Sequence, residues 1–263
     1  MMLPSWIGLL GALALAFNGL TGALVYAELD GDDGAQTEAE LWTPVTLKIP
    51  VSERWSVATM VLPLWRDSEP GLSRLQTRGG VYYRPIKSLE MGVTMDYIPT
   101  FQPEPTTEWR MGQQWVWSQP MGPHWQWTNR VRTEQRWAEN MPTRHRLRVR
   151  NRLTRALPKQ LYTFAEQELL MNVGRHQTGF DQHRLFVGLG RHWGGQQPRD
   201  AKFSLETGYQ WIYANTSNPA NTLHAHVWMV QGVLQTPRIF SSANSKKTPL
   251  AVGGDSDIES SNP

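Results

Sequence analysis

WQWTNRVRTEQRW (residues 125–137), with RHRLRVRNR (residues 144–152) just beyond it, is the stretch that decides the fold. Charge recurs there on every second residue: Arg130, Arg132, Glu134 and Arg136, then Arg144, Arg146, Arg148, Arg150 and Arg152, and further on Glu166 and Glu168. A period of two belongs to strands, whose successive side chains point to opposite faces. The other register of the first run is Trp125, Trp127, Asn129, Val131, Thr133, Gln135 and Trp137, so one face is ionic and the other mostly apolar or aromatic. A soluble sandwich turns its apolar face inward, whereas a closed barrel in a membrane puts lipid outside and a polar lumen inside. The solvent around the sheet is therefore the question.

The N-terminus bears on the compartment. Residues 1–27 contain no Lys, Arg, Asp or Glu, and an apolar run over residues 6–17 leads to Val25-Tyr26-Ala27 ahead of Glu28. Small or medium residues three before and one before the cut suit signal peptidase, so a signal peptide over 1–27 is expected, although residues 1–5 carry no basic side chain. The alternative is an uncleaved anchor helix, but Asn18, Gly19 and Gly22 interrupt a span that needs about 20 apolar residues. Residues 28–40 hold six acids and no base, an acidic lead with too little apolar surface to order itself. Residues 41–235 hold 23 Lys plus Arg against 14 Asp plus Glu, with Arg dominant, which favours forked contacts to carboxylates or phosphates. Nucleic acid is not expected as a partner, because an exported chain seldom meets it and no recognition helix is visible. The absence of cysteine excludes a disulfide framework and thiolate metal sites. A mean hydropathy of −0.48 does not exclude a membrane barrel, since alternating strands never build a continuous apolar run.

Strand candidates recur at about 41–49, 53–66, 73–84, 88–99, 106–119, 124–138, 143–156, 160–174, 180–192, 201–213 and 222–235, with breaks rich in Pro, Gly, Asn or charge. Most are about twice the usual globular strand of ~5–6 residues and suit a tilted crossing of a bilayer. The faces agree: Leu89, Met91, Val93, Met95 and Tyr97 oppose Glu90, Gly92, Thr94 and Asp96, and Trp109, Met111, Trp115 and Trp117 oppose Glu108, Arg110, Gly112 and Gln114. Of the 13 Trp, nine stand near strand ends (Trp42, Trp55, Trp65, Trp109, Trp117, Trp125, Trp137, Trp193 and Trp211), where interfacial girdles would put them. The expectation is an all-β, antiparallel transmembrane β-barrel over 41–235, followed by a low-order tail at 236–263. Bacterial single-chain barrels close with even numbers, so eleven candidates point to twelve strands, with ten next. Short breaks near 51–52, 85–87, 119–123 and 158 are assigned to one side, and 102–105, 194–200 and 215–221 to outer loops.

These landmarks carry a likeness. Leu41-Trp42 with Trp55, Arg130-x-Arg132-x-Glu134-x-Arg136, the Arg144, Arg146, Arg148 ladder, Glu166-x-Glu168 with Asn172, Phe180-Asp181-Gln182-His183-Arg184 leading to Gly188-Leu189-Gly190, and Gly208-Tyr209 follow one another over most of residues 40–235. In that order the chain resembles the outer-membrane β-barrel family catalogued as domain of unknown function 2490. The resemblance implies fold and location and brings no assigned activity. The chain departs from outer-membrane barrels at its end, where residues 236–263 follow the expected closing strand instead of a terminal aromatic residue.

The candidate site is a lumenal ion network of Arg130, Arg132, Glu134, Arg136, Arg144, Arg146, Arg148, Arg150, Glu166, Glu168, Asp181 and Arg184. It has two readings: a salt-bridged plug that stiffens a narrow barrel, or a passage that attracts small anionic solutes. Expected partners are outer-membrane lipid and lipopolysaccharide and the barrel assembly machinery. His224-x-His226, and Asp181 with His183, share strand faces but bring no third ligand, so no metal or cofactor is expected. A membrane-embedded lipid or lipopolysaccharide hydrolase is a further alternative. No histidine is followed two residues later by serine, which leaves only a cross-strand pair such as Ser204 with a neighbouring histidine. No Gly-rich phosphate loop opens a helix. A soluble exported β-sandwich binding anionic polysaccharide would bury Met91, Met95, Trp115, Trp117 and Leu205, whereas a barrel would expose them.

Overall fold

The computed structural model describes residues 36–102, 104–139, 141–174, 178–194, 200–215 and 222–239. The expected signal peptide, most of the acidic lead, nearly all of the tail, and parts of the connections at 102–105, 194–200 and 215–221 lie outside the described residues. All regular structure described is strand: β1 (Gln36–Trp42), β2 (Val45–Pro50), β3 (Trp55–Arg66), β4 (Arg74–Ile86), β5 (Leu89–Thr100), β6 (Thr106–Pro120), β7 (Trp125–Ala138), β8 (Arg144–Ala156), β9 (Leu161–Val173), β10 (Gly179–Gly194), β11 (Lys202–Asn215) and β12 (Thr222–Gln235).

From β2 to β12 each strand pairs antiparallel with the next, and the sheet closes where β12 pairs with β2 in parallel. Twelve strands are present as expected, but the closed ring comprises eleven. That odd number corrects the all-antiparallel expectation, because in an up-and-down ring of odd count the first and last strands run the same way. β1 adds no place to the circumference. Trp42 stands opposite Met229 and Leu64; Val45, three residues on, stands opposite Gly232 and Val61, so β1 continues the line of β2 along the same two neighbours. Thr43-Pro44 breaks the run, since proline has no N–H for the ladder, yet the Pro44 carbonyl still accepts from the Gly232 N–H at 2.9 Å. Gln36 to Glu40 are thus strand, not low-order lead: they pair with β12 from Leu223 to Val227.

Strand direction sorts the connections into two ends. Residues 51–54, 87–88, 121–124 and 157–160 join strands at one end, here the turn end; residues 67–73, 101–105 and 139–143 join them at the loop end. The connection after Gly194 leaves from the turn end, because β10 runs towards it, so its grouping with the loops at 102–105 and 215–221 is corrected.

Polarity is inverted relative to a soluble domain. Along β5, Thr94, Asp96 and Ile98 are buried while Met91, Val93, Met95 and Tyr97 are exposed, and Val93 is half exposed at 50 %. Val61, Val81, Met111, Leu169, Leu185, Val187 and Leu189 continue that exposed apolar wall around the ring. Rings line both rims: Trp55 with Tyr83, Trp117, Trp125, and Trp193 with Phe203 at the turn end; Tyr97 with Trp109, Trp137, and Phe180 with Tyr213 at the loop end. Ten residues of β3 separate Trp55 from Trp65, about 25 Å of height at ~3.3 Å per residue and ~40° of tilt. Trp42 is the exception to the expected girdle. It packs inside against the buried clusters Tyr162, Phe164, Phe186, Met229 and Ile212, Ala214, Ala225, Val227, because its register opposes buried Met229 and Leu64.

Candidate functional site: the charged lumen

The register of β7 on β8 sets arginine against arginine: Arg130 opposite Arg150, Arg132 opposite Arg148 and Arg136 opposite Arg144. Directly opposed like charges destabilise a sheet, so each arginine pair needs a carboxylate within reach. The fold meets this need by sharing each carboxylate. Asp96 on β5 takes Arg78 at 2.6 Å and Arg132 at 3.3 Å; Glu134 takes Arg132 at 2.8 Å and Arg148 at 2.9 Å. Glu168 on β9 takes Arg130 at 2.7 Å, Arg148 at 2.8 Å and Arg184 at 3.8 Å. One chain of ion pairs therefore links β4, β5, β7, β8, β9 and β10. The side chains of Asp96, Arg132 and Glu134 have 0 % exposure, whereas Arg84 and Arg150, nearer the turn end, keep 25 % and 26 %. The lumen is tightest at mid-height.

Glycines make the long reaches fit. Arg132 on β7 passes over Gly112 on β6 to meet Asp96, and a Cβ at Gly112 would collide with its guanidinium. Gly190 on β10 likewise leaves room for the Tyr162 ring. That ring begins a second cluster, in which the Tyr162 hydroxyl donates to Glu206 at 2.8 Å and Gln231 donates to it at 3.1 Å. Arg152 donates to the same carboxylate at 2.5 Å and lies 3.9 Å from the Phe164 ring centre. Towards the loop end, Glu108 accepts from Arg110 and Arg136, and Asp181 meets Arg146 at 2.8 Å. At the seam Arg66 meets Glu40 at 2.8 Å.

The structure thus joins most of the site residues named from the sequence. Arg150 reaches Glu166 at 3.5 Å. Arg144 is the exception: its Nη2 lies 3.3 Å from the sulfur of Met141, and it makes no ion pair among the described residues. Asp96, Arg78, Glu108, Arg110, Arg66, Glu40 and Glu206 were not included in the expected network, although the period of two already put several of them on the polar face. Asp181 and His183 do not share a site, because the ladder shifts between Phe180 and Gln182, turning Asp181 to Arg146 and His183 to the outer-wall Trp211. On that wall His226 hydrogen-bonds the Tyr209 hydroxyl and His224 packs on Trp211 and Tyr213. Among the described residues no three His, Asp or Glu gather to hold a metal ion. Ser204 stands directly opposite His192 across β10 and β11, and His192 stacks on Tyr162 at 4.4 Å.

A closed β-barrel with charge inside and an apolar outer wall is the class that fold and site define. The sequence profile of the protein family of unknown function DUF2490 matches residues 39–224, and the chain belongs to that family. No curated protein and no solved structure matches it.

Proposed function

We propose that this protein is a bacterial outer-membrane β-barrel whose lumen is sealed at mid-height by ion-paired side chains, with a structural rather than a conducting role. The observation that carries the reading is the inverted polarity: Arg132, Glu134 and Asp96 are fully buried while Val93, Met95 and Trp115 stand exposed. An apolar wall of this extent is costly in water and at home in hydrocarbon between two aromatic rows. The seal follows from the shared carboxylates, which leave the arginines packed on partners instead of lining an open basic channel. In that setting outer-membrane lipid and lipopolysaccharide are its surroundings and the barrel assembly machinery its route of insertion.

Membrane fractionation with unboiled and boiled gel samples tests the location, and a chain recovered soluble from the periplasm sinks the reading. Reconstitution in liposomes tests the seal, for which no steady current is expected. An anion-selective current whose preference reverses in an Arg132→Glu, Arg148→Glu double variant would replace the seal with a narrow anion pore. One placement favours a second reading, a hydrolase, because Ser204 faces His192 across the ladder. Fatty-acid release from purified lipid, abolished by Ser204→Ala, would establish it.

A further inference from the structure

Between the two aromatic rows, the outer wall carries carboxamides on one side only. Gln113 on β6, Asn129 and Gln135 on β7, Asn151 on β8 and Gln167 on β9 face outward, whereas among the described residues no Asn or Gln does so between those rows on β1–β5 or β10–β12. They adjoin one another across the ladders: Asn129 lies opposite Asn151, which lies opposite Gln167, and Thr133 lies opposite Gln113. Asn129 donates to Asn151 at 2.9 Å, but the side-chain amides of Gln113, Gln135 and Gln167 have no hydrogen-bond partner among the described residues. A hollow of about 540 Å³ on the same wall is lined outward by Met111, Gln113, Thr133 and Gln135 among others, and also by Glu134 and Arg146 of the inward register.

From this we infer that the outer wall of β6–β9 is the contact face for a second copy of this chain. The inference rests on the membrane reading above, since in hydrocarbon an unpaired amide has no water to bond and needs another polar surface. Lipid tails offer none. A carboxamide is donor and acceptor at once, so an amide patch whose outward side chains between the rows include no Asp, Glu, Lys or Arg is complementary to its own two-fold copy. A charged partner would leave its ions unmatched against these side chains.

The absence of cysteine makes the test clean, because one introduced thiol is the only one in the chain. Gln113→Cys, Thr133→Cys and Gln135→Cys are made singly in the full chain, with Val61→Cys on β3 as the far-wall control, and oxidised or bridged with a short bismaleimide in native membranes. At least one of the three gives a product at twice the mass of the monomer in the same membranes and Val61→Cys gives none. Unboiled samples of the same preparations report whether the barrel is folded in the membrane. Heat-modifiable barrel without that dimer overturns the inference and leaves the membrane reading standing; a product of another mass also overturns it, in favour of a different partner. Loss of the heat-modifiable form in every variant and in the parent removes the membrane reading itself.

Discussion

Neutralising Glu168 exposes how the lumen balances its charge. The carboxylate accepts from Arg148 through three contacts of 2.8–3.2 Å and from Arg130 at 2.7 Å. In Glu168→Gln, Arg148 keeps Glu134 at 2.9 Å and Arg184 keeps the Gln182 amide oxygen, whereas Arg130 loses its only ion-pair partner among the described residues while still facing Arg150. Stranding a buried charge in this way costs about 3–5 kcal/mol. Arg130→Met alone should cost far less, about 1 kcal/mol, because Glu168 retains two guanidiniums and the facing Arg–Arg pair is relieved. The double variant should then lie closer to wild type than the sum of the singles by about 1–3 kcal/mol. Urea unfolding of the refolded barrel in lipid vesicles, followed by Trp fluorescence, measures all three. Additivity of the two substitutions, or a Glu168→Gln cost below about 1 kcal/mol, would refute the idea that shared carboxylates hold the arginines.

Other perturbations probe different parts of the same design. Gly112→Ala pushes the Arg132 guanidinium off Asp96 and should destabilise by about 2 kcal/mol in the urea assay, while Gly79→Ala, with open space around it, should change stability by less than about 0.5 kcal/mol. Val61→Arg, midway between Trp55 and Trp65, should cost about 2–4 kcal/mol in a bilayer, against at most about 0.5 kcal/mol for an exposed site in water; a neutral result in vesicles would contradict a lipid-facing wall. Tyr162→Phe removes the donor to Glu206 and should cost about 1 kcal/mol, whereas Phe180→Leu at the rim leaves that cluster intact.

Much of this was legible in the sequence, for a physical reason: a sheet with one ionic and one apolar face writes its alternation directly into the chain. The pairing of β7 with β8 and of β8 with β9 follows from adjacent antiparallel runs, so Arg148 beside Glu134 and Glu168 was within reach. What escaped were relations that local period does not encode. The parallel seam depends on how many strands close the ring, and neither Gln36–Trp42 nor Val45–Pro50 announces that it sits beside β12. Trp42 reads like a girdle residue because its position near a strand end is visible, while the buried Met229 and Leu64 that face it are far away in sequence. A single extra residue near Asp181 separated it from His183, a shift without an independent signature in composition.

The same long-range relations explain why an arginine-rich lumen does not amount to a basic channel. β7 and β8 alone are a repulsive pair, with three arginines of one strand facing three of the other. Glu134 on β7 and Glu166 and Glu168 on the adjacent β9 supply part of the balance, and the rest comes from strands that are not neighbours: Asp96 from β5 reaches Arg132 across β6, and Glu206 from β11 reaches Arg152 across β9 and β10. The seam adds Arg66 on β3 to Glu40 on β1, and Arg184 on β10 to the Trp42 ring at 5.3 Å. A partly formed sheet of these strands is therefore only partly balanced, and curvature completes the balance by bringing lumenal groups two or three strands apart within hydrogen-bond distance. Full neutralisation then waits on curvature, which ties the arginine excess to the cooperativity of the barrel more directly than to anything passing through it.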